Sequence, residues 1–201
     1  MSSALPGPPT LRLFFALWPD SAVRARLGRH QALWQWSPPA RPTPVNKLHL
    51  TLLFMEGVDV QRLAAVRQLG EEVSRGWTDF DLLLDRAAVW RHGGIASLAP
   101  SQIPPGLRDL HTALSAQAAQ RGLPFDSRPY APHVTLGRRA EKLIPPDAFL
   151  LHKDAQDRIE WPCPPRGTIH WPVRRFVLVR SVLGTGRYDL LGSWPVAGLG
   201  Q

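Results

Sequence analysis

Two stretches of this chain carry one short pattern, His49-Leu50-Thr51-Leu52 and His133-Val134-Thr135-Leu136, set 84 residues apart. With seven histidines in 201 residues, two matches to His-x-Thr-Leu arise by chance on the order of once in a thousand such chains. The surroundings repeat too. An apolar strand over 11–18, a helix over 21–34, a proline-rich loop and a strand over 48–54 are echoed by a strand over 95–99, a helix over 107–121, a loop and a strand over 133–137. A chain that doubles strand–helix–loop–strand must fold as two similar halves, and such a repeat sets the architecture before any local detail.

Strand period decides what the motif presents. Residues two apart in a strand share a face, so His49 and Thr51 project together while Leu48, Leu50 and Leu52 project the other way. His133 and Thr135 do the same, backed by Val134 and Leu136. If the halves pack about a pseudo-twofold axis, the two polar faces meet in one cleft. Two imidazoles across a cleft can act as a paired general acid and base, because histidine titrates near neutral pH. The threonine hydroxyls can donate to anionic oxygens. Arg138, at the end of its strand, can present a guanidinium fork to a phosphate. The near-symmetry of the motif leaves open which histidine is acid and which is base.

Other elements follow from ordinary rules. Asp20 or Ser21 caps the first helix, whose buried side carries Val23, Leu27 and Trp34. The prolines at 38, 39, 42 and 44 make the next segment an irregular loop. A second helix is expected from about 60 to 75, and one strand over 79–90. The third helix buries Leu107, Leu110, Leu114 and Ala118 and stops at Gly122. Residues 145–172 hold a short element of undecided type, then a strand over 173–183, a glycine turn and a last strand from 187 complete the chain. A flexible tail is expected over residues 1–10, with no secretory leader, since MSSALPGPPT has neither a basic segment nor a long apolar run.

Lys and Arg number 24 against 16 Asp and Glu, a net charge of +8, which suits a polyanionic partner such as nucleic acid or phosphate. Arginine supplies nearly all of it, an excess that genome composition alone can also produce. Cys163 is the only cysteine, so disulfide frameworks and multi-cysteine metal sites are excluded, and a reducing cytoplasm is expected. No apolar run is long enough to span a bilayer. Histidines 30, 92, 111, 152 and 170 lack the motif's context and read as surface or structural. Two histidines with no acidic or thiol ligand nearby make a poor metal cage, so neither metal nor cofactor is expected. Arg128, Arg174 and Arg175 are secondary candidates, equally suited to packing or solvation. Phe14, Trp18 and Tyr130 can stack on a base or fill the core. No helix-turn-helix or basic stripe points to a DNA-binding regulator.

These residues resemble the two-histidine phosphoesterase superfamily, and within it the bacterial and archaeal RNA 2′,3′-cyclic phosphodiesterase family, also called 2′-5′ RNA ligases. The likeness rests on RLFFAL at 12–17, LHLTLLF at 48–54, RPYAPHVTLGR at 128–138 and SVLGTGRYDLLGSWP at 181–195. One departure is visible: Phe54-Met55-Glu56-Gly57 places the glycine one position later than the family's Phe-Leu-Gly turn. The resemblance implies an α+β fold of two pseudo-symmetric lobes in one bilobal domain, each an antiparallel sheet backed by helices, with both motifs in a central cleft. It implies metal-independent hydrolysis of a 2′,3′-cyclic phosphate at an RNA end to a 2′-phosphate, on partners such as tRNA fragments, with reversal giving 2′-5′ ligation. His49 would be the proton donor and His133 the proton acceptor, with Thr51, Thr135 and Arg138 binding the phosphoryl oxygens. A cytoplasmic monomer is expected. The competing readings keep the cleft but assign it to small cyclic nucleotide phosphates, or to binding an RNA end without turnover.

Overall fold

The computed structural model describes residues 9–143, 152–153, 158–162 and 167–196. Most of the expected tail and Cys163 lie outside them. Strand β1 (Thr10–Leu17) leads to helix α1 (Ser21–Ala32), the two-residue β2 (Arg41–Pro42) and β3 (Leu50–Asp59). Helix α2 (Leu63–Ser74), β4 (Phe80–Leu84), β5 (Arg86–Trp90), β6 (Ile95–Ala99), α3 (Pro105–Gln120) and β7 (Val134–Arg138) follow. The chain then forms β8 (His152–Lys153), β9 (Arg158–Pro162), β10 (Ile169–Val173), β11 (Arg175–Val182) and β12 (Arg187–Pro195).

Local chemistry accounts for the helix ends. Asp20 Oδ1 accepts from the Val23 amide at 2.8 Å and caps α1. Pro105 opens α3, where its missing N–H costs nothing. Gly122 closes it at φ +58, a conformation that disfavours a Cβ. The buried sides of α1 and α3 are those expected, with Val23, Leu27, Leu107, Leu110, Leu114 and Ala118 all inside.

The expected strand over 79–90 is two strands. β4 pairs with β10 in a separate two-stranded sheet, whereas β5 joins β6 and β9 in the main one. Asp85 is the break: its carboxylate accepts from the amide and hydroxyl of Ser101, each at 2.6 Å, which fixes the change of direction. The strand expected over 173–183 divides likewise into the end of β10 and β11. Hydrophobic pattern alone does not show where a strand changes partners.

Among the described residues the main sheet has the order β12-β11-β1-β3-β7-β6-β5-β9-β8, with β2 added beside β7. The fold is α+β as expected, and the antiparallel sheets of the two halves run together at β3 and β7. Adjacent pairs are antiparallel, and the halves meet at β3 and β7 through one pair, Leu50 opposite Val134. Those residues stand 84 positions apart in the sequence, as do the two histidines. They therefore mark the pseudo-twofold axis. β1 is buried on both faces: Leu13, Phe15 and Leu17 enter the main core, while Phe14 and Ala16 join Val177 and Val179 in a smaller cluster on the opposite face.

Candidate active site

The axis places the motif residues without further assumption. Antiparallel pairing of Leu50 with Val134 sets His49 opposite Thr135, and His133 opposite Thr51. Leu50 and Val134 are wholly buried. The imidazoles and hydroxyls one residue away therefore share the other face, between the two lobes. The threonine side chains make no hydrogen bond among the described residues, so both hydroxyls remain available to a ligand.

A second shared feature lies just beyond each threonine. In β3, Ala16 pairs with Thr51 and Phe15 with Leu53, leaving Leu52 as an extra residue. In β7, Ser97 pairs with Thr135 and Ala96 with Gly137, leaving Leu136 extra. Each strand thus carries a β-bulge at the same place in its repeat. A bulge turns two successive residues inward, and Leu52–Leu53 and Leu136–Gly137 are all buried. The next side chain returns to the motif face three residues after the threonine instead of two. That residue is Arg138 in the second half and Phe54 in the first. Without the bulge, strand alternation would have aimed Arg138 into the core. The displaced glycine that departs from the family pattern is absorbed in the same way: Glu56 and Gly57 lie in a second irregularity of the β1–β3 ladder, Gly57 at φ +75, and β3 continues to Asp59.

Both imidazoles are oriented alike. The Nδ1–H of His49 donates to the carbonyl of Lys47 at 2.7 Å, and that of His133 to the carbonyl of Ala131 at 2.8 Å. A carbonyl only accepts, so in each neutral ring Nδ1 holds the proton and Nε2 is the basic nitrogen. Their surroundings differ. His49 stacks on Phe14 (centroids 4.8 Å) and Trp18 (5.4 Å), with Tyr188 edge-on at 5.7 Å. His133 leans on Trp90 at 4.5 Å. Burial among rings lowers the His49 pKa to about 4; the Lys47 carbonyl opposes this, and the charges of His133 and Arg138 add to it. The free protein therefore holds His49 neutral at neutral pH.

Two hollows flank the pair. One of about 230 Å³ includes Thr51, Phe54, Trp90, Arg128 and His133 in its wall. The other, about 440 Å³, lies beyond Trp18 and Tyr188 and reaches Arg24 and Arg175.

Helices from opposite halves hold the two bulges. Gln31, buried in α1, donates its amide to the carbonyls of Leu136 and Thr43, both at 2.7 Å. His111 of α3 donates from Nδ1 to the carbonyl of Leu52 at 2.9 Å. Tyr130 stacks flat on His111 at 3.8 Å, and its hydroxyl donates to the Thr51 carbonyl at 3.3 Å. Each half thus fixes the bulge of the other. His111→Leu takes the side-chain donor from the Leu52 carbonyl and Gln31→Leu takes it from the Thr43 and Leu136 carbonyls, so each is expected to lose about 1–3 kcal/mol of stability. His111→Gln, which keeps a donor, should lose less. Denaturant titration of the three variants checks the order.

Of the sequence candidates, His49, His133, Thr51, Thr135 and Arg138 are brought together. Arg128 reaches the same hollow while ion-paired with Asp126. Arg174 pairs with Asp79 at 2.9 Å and serves the fold. Phe14 and Trp18 are spent on His49 and Tyr130 on His111. His30 is buried and bonded to the Gly167 carbonyl at 3.2 Å. Sequence reasoning missed Gln31, Trp90 and Tyr188, and gave His111 no role. Of these only Tyr188 stands within a segment that carries the family resemblance. Among the described residues no three His, Cys, Asp or Glu side chains come together as a cation site.

Comparison with known proteins agrees with this geometry. A sequence profile of the 2'-5' RNA ligase superfamily matches residues 19–183. The chain is 34% identical to the RNA 2',3'-cyclic phosphodiesterase of Escherichia coli over 140 residues, 69% of this chain and 78% of that protein. It is 29% identical to the RNA 2',3'-cyclic phosphodiesterase of Thermus thermophilus over 183 residues, 86% of this chain and 83% of that one. The fold matches the crystal structure of Escherichia coli LigT complexed with 3'-AMP at a TM-score of 0.74 and 28% identity, covering 94% of this chain and 99% of that one. The matched region contains both histidine-threonine strands and the axis between them, and the chain belongs to the 2'-5' RNA ligase superfamily.

Proposed function

We propose that this protein hydrolyses the 2′,3′-cyclic phosphate at an RNA end to a 2′-phosphate, without a metal, by paired histidine acid–base catalysis. The observation that carries the reading is the pair of imidazoles that two twofold-related strands bring to one cleft, each with its Nδ1 on a backbone carbonyl. Its relatives of Escherichia coli and Thermus thermophilus bear the name RNA 2',3'-cyclic phosphodiesterase.

In the proposed cycle His133 Nε2 accepts a proton from water as the oxygen attacks phosphorus. The bond to the 3′ oxygen breaks, and His49 Nε2–H protonates that oxygen as it leaves. Thr51 and Thr135 donate to the non-bridging oxygens, and Arg138 offsets their charge in the transition state. His49 is neutral in the free protein, so it needs a proton before it can be the donor. The bound phosphate anion favours that proton, since an opposite charge within a few ångströms raises an imidazole pKa. Substrate thereby helps to arm its own acid. With a 5′-hydroxyl in place of water the same groups open the cyclic phosphate to a 2′-5′ linkage, His133 taking the hydroxyl proton and His49 protonating the departing 3′ oxygen.

The chain acts as one bilobal domain, a cytoplasmic monomer, on RNA ends such as those of tRNA fragments. No helix among the described residues is long and apolar enough to cross a membrane. A dinucleotide ending in a 2′,3′-cyclic phosphate and the corresponding cyclic mononucleotide are to be assayed with and without EDTA, with the product identified. The expected result is a 2′-phosphate from the dinucleotide at a rate unchanged by chelation. Turnover of the mononucleotide alone assigns the cleft to small cyclic nucleotides. Tight binding with no turnover makes the protein an RNA-end binder, and loss of rate with EDTA restored by one metal ion overturns the metal-independent mechanism.

A further inference from the structure

Arg41 lies in the proline-rich segment whose sequence reads as an irregular loop. In the structure that segment forms β2, which pairs antiparallel with β7 and sets Arg41 directly opposite Arg138. Directly opposed residues of an antiparallel pair project to the same face, and like charges so placed disfavour the pairing. Both arginines are exposed, and among the described residues neither makes an ion pair. Nothing in the fold asks for this juxtaposition. The pseudo-symmetric positions, 84 residues away, are Phe125 and Phe54, which line one hollow of about 340 Å³ on the other flank. The same backbone position thus takes an aromatic pair in one half and a cationic pair in the other.

The placement of Arg41 is also built rather than loose. The Thr43 amide donates to the Leu136 carbonyl at 2.8 Å. Gln31 bridges the carbonyls of Thr43 and Leu136. Gly137, opposite Pro42, leaves no room for a Cβ, which would meet the Trp36 ring and come within 2.8 Å of the Arg41 carbonyl. Three separate contacts hold two like charges side by side on the motif face.

We propose that Arg41 and Arg138 form a second phosphate site, which takes the internal phosphodiester on the 5′ side of the terminal nucleotide. This rests on the cyclic phosphodiesterase reading above. Arg138 begins three residues beyond Thr135, roughly 10 Å along the strand at 3.3 Å per residue. With five N–H donors it can bridge the reacting phosphoryl group and the next phosphate. Arg41, one strand further out, contacts only the second. The ligand class is therefore an oligonucleotide end, and Arg41 is a specificity residue that favours RNA over a cyclic mononucleotide.

The test compares wild type, Arg41→Ala and Arg41→Lys on the cyclic-phosphate-ended dinucleotide and the cyclic mononucleotide. The ratio of kcat/KM for dinucleotide over mononucleotide is expected to fall about tenfold in Arg41→Ala, the size of one lost charge-assisted contact. The loss should lie mainly in KM, Arg41→Lys should recover part of it, and the salt dependence of dinucleotide binding should weaken by about one phosphate contact. An unchanged ratio, whether both substrates lose equally or neither loses, overturns the proposal. Calorimetric binding of a dinucleotide and a mononucleotide each ending in a 2′-phosphate decides the matter separately. If wild type hydrolyses neither substrate, the functional reading fails, yet weaker dinucleotide binding by Arg41→Ala still supports the second site, and equal binding removes it.

Discussion

His49→Ala and His133→Ala are each expected to lower kcat by about 10²–10⁴-fold, the usual contribution of a positioned acid or base. Both proteins should remain folded. Each imidazole leaves the strand on the face away from the main core, where Leu48, Leu50 and Val134 stay wholly buried whatever occupies positions 49 and 133. The double variant should be little worse than the poorer single one, because an acid and a base that act in one step do not contribute additively. Steady-state rates on a cyclic-phosphate-ended dinucleotide, beside a thermal melt of each variant, decide this. Near-parental turnover in either single variant would remove that histidine from the mechanism.

His49 also makes stability depend on pH, with a sign that follows from its surroundings. Its pKa is lowered to about 4 by burial against Phe14, Trp18 and Tyr188. The unfolded chain protonates the same group at about 6.5. Between those values the unfolded state binds a proton that the native state does not, so stability rises with pH through that window and is lost as the medium is acidified. Across the whole window the change amounts to about 3 kcal/mol, because each pH unit between the two titrations is worth roughly 1.4 kcal/mol. His30, buried and likewise lowered, acts in the same direction. Substituting Phe at position 49 removes the titration while keeping a ring against Phe14 and Trp18. We expect His49→Phe to be inactive, more stable than the parent at pH 5, and visibly flatter in stability between pH 4 and 6.5. A parental slope in that variant would mean that His49 is not the depressed group. The product should have the reverse effect: a bound 2′-phosphate raises the His49 pKa, seen in the imidazole resonances, and by reciprocity the phosphate binds more tightly as His49 takes up its proton.

The histidine pair was legible because a strand has a period of two. Any chain that places His and Thr two apart between apolar residues presents them on one face, and a doubled motif promises a doubled strand. The helix ends were legible for an equally local reason: Asp20 caps with its own side chain, and Gly122 stops α3 with its own φ. Where one local rule competed with another, sequence reasoning went astray. The apolar run through 79–90 satisfied a single strand, and only Asp85, bonded to Ser101, shows why it is two.

The sequence by itself determined the two halves, the four motif side chains and the family, since each depends on residues adjacent in the chain. Tertiary structure alone decided how the site is tuned. The bulges at Leu52 and Leu136 that return Phe54 and Arg138 to the cleft arise from pairing with β1 and β6, remote in sequence. Gln31 and His111 hold those bulges from 105 and 59 residues away. The depressed pKa of His49 needs rings from β1 and β12 beside it, and Arg41 meets Arg138 only because a proline-rich segment fills the gap where β3 and β7 diverge after their single pair. Each of these depends on distances in space between residues far apart along the chain, and no local pattern encodes that distance.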